Sequence, residues 1–249
     1  LLIDFTENGI SENGNPIMEA NPGGAPCNVL AMLNKQGYKT AFIGKVGNDI
    51  FGRQLKAVVQ EAGINTDGLV TDESVNTTLA FVHTLPGGDR EFSFYRNPGA
   101  DMMLSESDID YKLVQNSRIF HFGSLSMTGE ICEAATKKAV ETAKESGAII
   151  SFDPNLRENL WDSLDKAREK IAYGISECDI LKISDNEIQW FTGEQDFDRA
   201  VEILRGRYGN IKLLLLSLGK NGSRAYCGEN SAFAPAVPAN TIETKGAGD

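Results

Sequence analysis

The stretch Ala148-Ile149-Ile150-Ser151-Phe152-Asp153-Pro154-Asn155-Leu156-Arg157, residues 148–157, decides the fold class. Its first half is a short apolar run that is typical of a buried strand, and its second half is polar and begins a loop. A four-residue apolar repeat ahead of it predicts a helix that stops at Gly147: Ile131, Ala135, Ala139 and Ala143. A helix that leads into a buried strand is the repeating unit of a parallel sheet covered by helices.

The same alternation extends over most of the chain and predicts an α/β fold with a mainly parallel sheet. The other predicted strands span residues 1–5, 40–43, 118–121, 180–183 and 212–217. Two more helices are predicted by apolar stripes over residues 51–62 and 197–208.

Two segments interrupt this alternation. Residues 6–21 are polar and rich in Asn and Glu, and residues 77–96 alternate between apolar and polar around a turn at Pro86-Gly87-Gly88-Asp89. The second segment predicts a hairpin. A hairpin alone is marginally stable, so it either covers a substrate cleft as a lid or packs on the core as a plain edge hairpin.

Composition excludes several classes of function. The chain has 249 residues, which suits one domain, and a formal net charge of −11, which opposes binding to nucleic acid or an anionic membrane. No apolar run is long enough to span a bilayer. The four scattered cysteines indicate free thiols in a reducing cytoplasm, and with two histidines a His-based metal centre is not expected.

Polar residues follow the predicted strands at the edge where open parallel sheets bind ligands. They are Asp4, the loop 153–157, Lys182, Ser184, Glu187 and the stretch 217–219. Any one of them could instead be a helix cap. Their joint occurrence at one edge favours a ligand site.

The last residues, Thr244-Lys245-Gly246-Ala247-Gly248-Asp249, combine a glycine-rich segment with an acid. Successive N–H groups in such a segment can hold an anion, and the neighbouring carboxylate can take a proton from a hydroxyl that attacks a phosphate. An ordinary glycine turn is the alternative. We expect the chain to be a piece of a longer protein, because it begins inside an apolar run without Met. We expect the 249 residues alone not to complete a phosphoryl-transfer site, because a helix after the glycine-rich segment would contribute to holding the anion.

Several segments resemble the ribokinase-like, PfkB-type sugar kinases, and among them the fructokinases most closely. They are 21–28 (NPGGAPCN), 44–52 (GKVGNDIFG), 91–96 (EFSFYR), 120–124 (FHFGS), 151–157 (SFDPNLR) and 246–249 (GAGD). The resemblance covers essentially the whole chain in the expected order. It implies a three-layer βαβ core with a mainly parallel sheet and a small β-sheet lid. It also implies one domain over 1–249, with a discontinuous lid from about 6–21 and 77–96.

The resemblance also implies ATP-dependent phosphorylation of the primary hydroxyl of a sugar, with Mg²⁺ as cofactor. Asp249 matches the catalytic base, and the amides of Gly246, Ala247 and Gly248 match the group that stabilises the transferring phosphoryl. The positions that match substrate contacts are Asp4, Gly23, Gly24, Asn28, Phe94, Arg96 and Arg157. Those that match nucleotide contacts are Lys182, Ser184, Ser217, Gly219 and Gly222. Glu187 matches the acid that organises Mg²⁺ through water, and we expect a cytoplasmic homodimer that forms through the lid.

Three alternatives remain open from the sequence. A 2-keto-3-deoxygluconate kinase shares the general plan, including the arginine of the lid. A catalytically silent relative could bind sugar as a regulator, although the acids and glycines listed above favour an enzyme. Dinucleotide binding would need a glycine motif that follows a long apolar strand, and no such strand leads into Gly246.

Overall fold

The computed structural model describes residues 1–84 and 90–237, which form two compact units, one from Leu1 to Asp110 and one from Tyr111 onward. In chain order, the first unit consists of β1 (Leu2–Ile10), β2 (Pro16–Gly23), α1 (Ala25–Lys35), β3 (Gly44–Gly47), α2 (Ile50–Glu61), β4 (Leu69–Asp72), β5 (Leu79–Thr84) and β6 (Arg90–Tyr95).

A four-stranded sheet in the order β2-β1-β5-β6 forms one layer of the first unit. Strands β1 and β5 are parallel, whereas the two outer pairs are antiparallel. Strands β3 and β4 form a separate parallel pair. The core contains Ile3, Val46, Leu55, Val59 and Leu69, each at most 3% exposed. Burial of these apolar side chains holds helix α2 against the strands.

The second unit consists of α3 (Tyr111–Gln115), β7 (Ile119–Gly123), α4 (Glu130–Glu145), β8 (Ile149–Asp153), α5 (Leu164–Glu177), β9 (Ile180–Ser184), α6 (Asp185–Thr192), α7 (Phe197–Arg207), β10 (Leu213–Ser217), β11 (Ser223–Cys227) and β12 (Asn230–Ala234). Its six strands have the order β12-β11-β10-β9-β8-β7. Strands β7 to β10 are parallel, and β11 and β12 extend the sheet in antiparallel fashion. The carboxyl ends of β7 to β10 therefore lie at one edge, where ligands are expected.

Most of the predicted elements are confirmed. Strands β7, β8, β9 and β10 and helices α2, α4 and α7 begin and end within one or two residues of their predicted bounds. The hairpin predicted over 77–96 is present as the antiparallel pair β5 and β6, and its turn at 85–89 lies outside the described residues. No disulfide joins the four cysteines, all of which belong to the described ranges.

Two predictions need correction. The strand predicted over 40–43 is wrong, because Ala41 makes only an isolated bridge to Asn65 and regular pairing starts at Gly44, opposite Leu69. The strand predicted over 1–5 continues to Ile10 and pairs with β2, so most of the polar segment 6–21 is a hairpin. Its polar composition follows from exposure, since the outer part of this hairpin has solvent on both faces.

The loop after β4 is held by Asp72, whose side chain is 11% exposed. Hydrogen bonds from the Ser74 backbone and hydroxyl, the Val75 N–H and the Lys45 ammonium lower the pKa of Asp72 to about 2, although burial opposes this. The native state therefore holds the charged carboxylate more tightly than the unfolded chain does. This stabilisation is present above the ordinary pKa of 3.8 and is lost as the pH falls through about 2.

We expect Asp72→Asn to lower the free energy of unfolding by about 2 kcal/mol at pH 7, because a shift of one pKa unit corresponds to about 1.4 kcal/mol. The difference from wild type should shrink between pH 4 and about pH 2, where the wild-type carboxylate becomes protonated. Urea unfolding followed across this range measures both quantities. The exposed Asp67, replaced by Asn, is the control, and a pH-independent loss in Asp72→Asn would contradict the electrostatic explanation.

Candidate active site

Four of the residues matched to sugar contacts lie together in the first unit. Asp4 is in β1, and a Cβ atom on Gly23 in β2 would lie 2.4 Å from Oδ2 of Asp4. Any residue with a Cβ atom at position 23 would displace the Asp4 carboxylate, so glycine is required there. Gly24 has φ 132°, and its carbonyl oxygen accepts a hydrogen bond from the Asn28 N–H at 3.1 Å in the first turn of α1.

The register of the four-stranded sheet adds Phe94 to this group. Asp4 pairs with Ala80 across β1 and β5, and Ala80 pairs with Phe94 across β5 and β6. Directly paired residues share a face of a sheet, so Asp4 and Phe94 lie on the same face. The other face carries the stacked pair of Phe5 and Phe81, whose ring centroids are 4.9 Å apart. One face of this sheet thus combines a carboxylate with an aromatic ring, and the opposite face packs aromatic rings together.

Arg96 follows β6 and is buried, with a side chain that is 7% exposed. Its Nε and Nη2 atoms donate to Oδ2 of Asp101 at 2.8 and 2.6 Å, and Thr78 donates to Oδ1. Burial alone would raise the pKa of Asp101, but the Arg96 charge and the hydrogen bonds from Arg96 and Thr78 outweigh it and lower that pKa. Arg96 therefore has a structural partner five positions later in the chain, which the resemblance to substrate contacts did not indicate.

Arg96→Lys is accordingly expected to destabilise the protein by about 1–3 kcal/mol, because one ammonium group cannot replace two guanidinium donors to a partly buried carboxylate. Thermal unfolding of the variant measures the loss. Arg53→Lys, at an exposed position of α2, is the control and should stay within about 0.5 kcal/mol of wild type. Equal melting temperatures for both variants would contradict a structural contribution from Arg96.

In the second unit, the residues matched to nucleotide contacts surround the carboxyl ends of β9 and β10. Lys182 lies in β9, and its Nζ is 3.0 Å from Oδ2 of Asp153 at the end of β8. Ser184 pairs with Ser217 across β9 and β10. The loop after β8 includes Asn155 with φ 44°, and it leads to Arg157, which is exposed. The predicted clustering of polar groups at one edge is therefore present for the loop 153–157, Ser184 and Ser217, but the inclusion of Asp4 is wrong, because Asp4 lies within β1 of the other sheet.

Ser184 and Glu187 form a capping box at the start of α6. Oε2 of Glu187 accepts hydrogen bonds from the Ser184 N–H at 2.9 Å and from the Ser184 hydroxyl at 2.7 Å. Oε1 of Glu187 accepts from the Leu156 N–H at 2.8 Å and so ties the Arg157 loop to this helix. Capping explains the presence of both residues without a ligand. Each carboxylate oxygen still has lone pairs for water.

Gly219 and Gly222 shape the turn between β10 and β11. Both have positive φ, at 53° and 98°, and the Leu218 N–H donates to the Gly222 carbonyl oxygen at 2.8 Å. A Cβ atom on Gly222 would lie 2.2 Å from the Ala234 carbonyl oxygen. Next to this turn is a cavity of about 310 Å³, whose lining includes Lys182, Ser217, Arg224 and Phe233. Lys182 shares a sheet face with its pairing partner Leu215 and supplies a cation there, whereas Arg224 pairs with Leu216 on the opposite face and binds Asp198.

Residues Gly246, Ala247, Gly248 and Asp249 lie outside the described residues, so the predicted base and anion site remain predictions. The sequence interpretation missed Asp101 and included Asp153, which is 4% exposed, only as part of the loop 153–157. Its place at the end of a buried strand is the signal that located this loop. No comparable pattern marks Asp101.

Comparison with known proteins identifies the family. The model of the pfkB family of carbohydrate kinases matches residues 2–249. A probable fructokinase-2 of Arabidopsis thaliana is 40% identical over 251 aligned residues, which cover 100% of this chain and 76% of that relative. The chain belongs to the pfkB family of carbohydrate kinases.

Solved structures agree with this assignment. A fructokinase from Xylella fastidiosa with bound ATP has a TM-score of 0.88 at 30% identity, over 99% of this chain and 75% of that one. A fructokinase from Vibrio cholerae with bound fructose, ADP and calcium has a TM-score of 0.87 at 26% identity, over 99% of this chain and 77% of that one. The predicted ribokinase-like α/β fold is confirmed. This carbohydrate kinase spans about three quarters of the length of these relatives.

The described part of the kinase suits a magnesium ion that is held indirectly. Within residues 1–84 and 90–237, no group of three or more acidic, His or Cys side chains could enclose a metal. Mg²⁺ usually keeps several waters and binds one or two carboxylates together with substrate phosphates. Glu187, which already accepts three protein hydrogen bonds, fits such a contact through water.

Within residues 1–84 and 90–237, no helix combines the length and apolarity that crossing a bilayer requires.

Proposed function

We propose that this kinase transfers the γ-phosphoryl group of ATP to the primary hydroxyl of D-fructose and releases fructose 6-phosphate and ADP. The observation that carries the proposal is the arrangement around Asp4. Gly23 leaves room for its carboxylate, Asn28 lies one helical turn beyond Gly24, and Phe94 shares its sheet face. Hydrogen-bonding groups beside an aromatic ring are what a neutral sugar needs. The names of the fructokinase relatives support fructose as that sugar.

In the proposed reaction, Asp249 takes the proton of the attacking hydroxyl as the new oxygen–phosphorus bond forms and the bond to ADP breaks. The amides of Gly246, Ala247 and Gly248 hold the charge of the transferring group. Lys182 and Ser217 bind the nucleotide beside the cavity, with Ser184, Gly219 and Gly222 shaping its surroundings. Mg²⁺, when it is bound, neutralises phosphate charge, and Glu187 holds its waters. Arg96 and Arg157 contact substrate oxygens.

Phosphorylation assays with the full-length protein test this function. We expect ATP consumption with fructose to exceed consumption with 2-keto-3-deoxygluconate, ribose or adenosine, because the relatives named above are fructokinases. The position of the new phosphate, read by NMR, tests transfer to the primary hydroxyl. If the enzyme prefers 2-keto-3-deoxygluconate, that sugar and not fructose is the substrate. Binding of sugar without ATP consumption would indicate a silent family member.

The proposal extends to assembly and location. Exposed apolar side chains on the four-stranded sheet, Ile10, Ile17 and Tyr95, support a homodimer that forms through this sheet as a lid. The four free cysteines, three of them buried, support a location in the reducing cytoplasm. Sedimentation of the wild-type protein and of Tyr95→Glu tests the dimer. A monomeric wild-type mass would contradict it.

A further inference from the structure

The sheet of the second unit contains a charge pair of which one member is almost entirely buried. Asp153 ends β8 and is 4% exposed, and its Oδ2 lies 3.0 Å from Nζ of Lys182 in β9. A carboxylate with so little access to water is costly unless a cation and hydrogen bonds compensate it. Lys182 supplies the cation, and the Asn155 N–H donates to Oδ1 at 3.3 Å.

Lys182 is more accessible than its partner. Its side chain is 24% exposed, and it lines the cavity of about 310 Å³ beside Leu215 and Ser217. An ammonium group has three donors, so a bond to Asp153 leaves others for a ligand. A free lysine side chain loses much rotational freedom when it binds, and this loss opposes affinity. A lysine that is already held in place loses less.

We propose that Asp153 is a positioning residue for the kinase reaction, which holds the Lys182 ammonium group where that group meets the phosphates of ATP. This inference rests on the proposed function, in which Lys182 binds the nucleotide. Asp153 acts through Lys182 and does not contact the substrates itself. Its burial fits this role, because a carboxylate exposed to the ligand would repel phosphate.

A double-mutant cycle in the full-length protein tests the coupling: Asp153→Asn, Lys182→Met and the combination. We expect Asp153→Asn to raise the KM for ATP and the Kd for ADP roughly five- to twentyfold, while the KM for fructose changes less than about twofold. Lys182→Met should have at least the same effect. Adding Asp153→Asn to Lys182→Met should weaken ADP binding no further, because the carboxylate then has no lysine to position.

A second ion pair in the same sheet provides the matched control. Lys212 and Asp179 precede β10 and β9 at the opposite edge, with Nζ and Oδ1 2.7 Å apart, and Asp179 also accepts from the Ile150 N–H. Asp179→Asn should lower the melting temperature without changing the KM for ATP. Asp153→Glu keeps the charge but displaces it by one methylene group. Asp153→Glu is therefore the variant to test if Asp153→Asn does not fold. We expect it to raise the Kd for ADP less than Asp153→Asn does.

Calorimetric titration with ADP separates the outcomes. An unchanged Kd in a folded Asp153→Asn or Asp153→Glu variant would overturn the inference, and so would an equal loss with and without Lys182. A wild-type protein that binds ADP with the expected coupling but does not phosphorylate fructose would overturn the proposed substrate alone.

Discussion

Asp249→Asn in the full-length protein is expected to lower kcat for fructose phosphorylation by roughly 10²- to 10⁴-fold, the contribution that a positioned general base typically makes. Asparagine keeps the size of the side chain but cannot accept the proton of the attacking hydroxyl. Because the sugar contacts are assigned to other residues, the KM for fructose should change little. Steady-state kinetics with fructose and ATP measures both constants.

Asp162→Asn is the control for this substitution, since Asp162 is a surface residue whose side chain is 78% exposed and pairs with Lys166. We expect wild-type kinetics from it. A kcat for Asp249→Asn close to that of Asp162→Asn would remove Asp249 from the mechanism, whereas a higher KM at normal kcat would assign it to sugar binding. Calorimetry with fructose confirms that the inactive variant still binds its substrate.

Gly23→Ala is expected to weaken fructose binding by roughly 10- to 100-fold, the equivalent of one hydrogen bond to a charged group. The added Cβ would lie 2.4 Å from Oδ2 of Asp4, so the carboxylate must turn away from its present position. The β2 backbone at Gly23 does not require glycine by its φ angle, and the effect should therefore fall on Asp4. Titration of the full-length variant with fructose measures the change in Kd.

The matched control is Gly206→Ala in α7, where an added Cβ would meet no atom within 4 Å. Alanine favours a helix interior over glycine by about 1 kcal/mol, so this variant should be as stable as wild type or more stable, with unchanged affinity. If Gly23→Ala binds fructose as tightly as the control does, Asp4 does not contact the sugar.

The family and the parallel strands could be predicted from the sequence because their signals are local. Each of the runs that became β8, β9 and β10 is short, apolar and followed by polar residues, whatever the rest of the chain does. Stripes at helical spacing located α2, α4 and α7 for the same reason. The motifs that carry the resemblance are likewise contiguous, and the family match over residues 2–249 bears them out.

The sequence did not predict strands in which solvent exposure removes the alternation of apolar and polar residues. The hairpin of β1 and β2 was not predicted because its outer part has water on both faces, and no apolar alternation then marks the strand. For residues 40–43 the error was the opposite, since a strand was predicted where none forms. This segment has the composition of a strand, but a turn near Asn65 lies beside it, and pairing begins only at Gly44.

By itself the sequence determined the fold class, the family and the chemical types of the candidate site residues. Only the tertiary structure decided which partner each charged side chain has: Arg96 pairs with Asp101, Lys182 pairs with Asp153, and Glu187 accepts a hydrogen bond from the Leu156 N–H. Lys182 and Asp153 are 29 positions apart, and Glu187 and Leu156 are 31 apart. Strand register and helix packing bring these residues, which are far apart in the sequence, into contact. The free energy of a buried charge depends on such contacts, because a carboxylate that is stable in water needs a partner within a few ångströms once water is excluded.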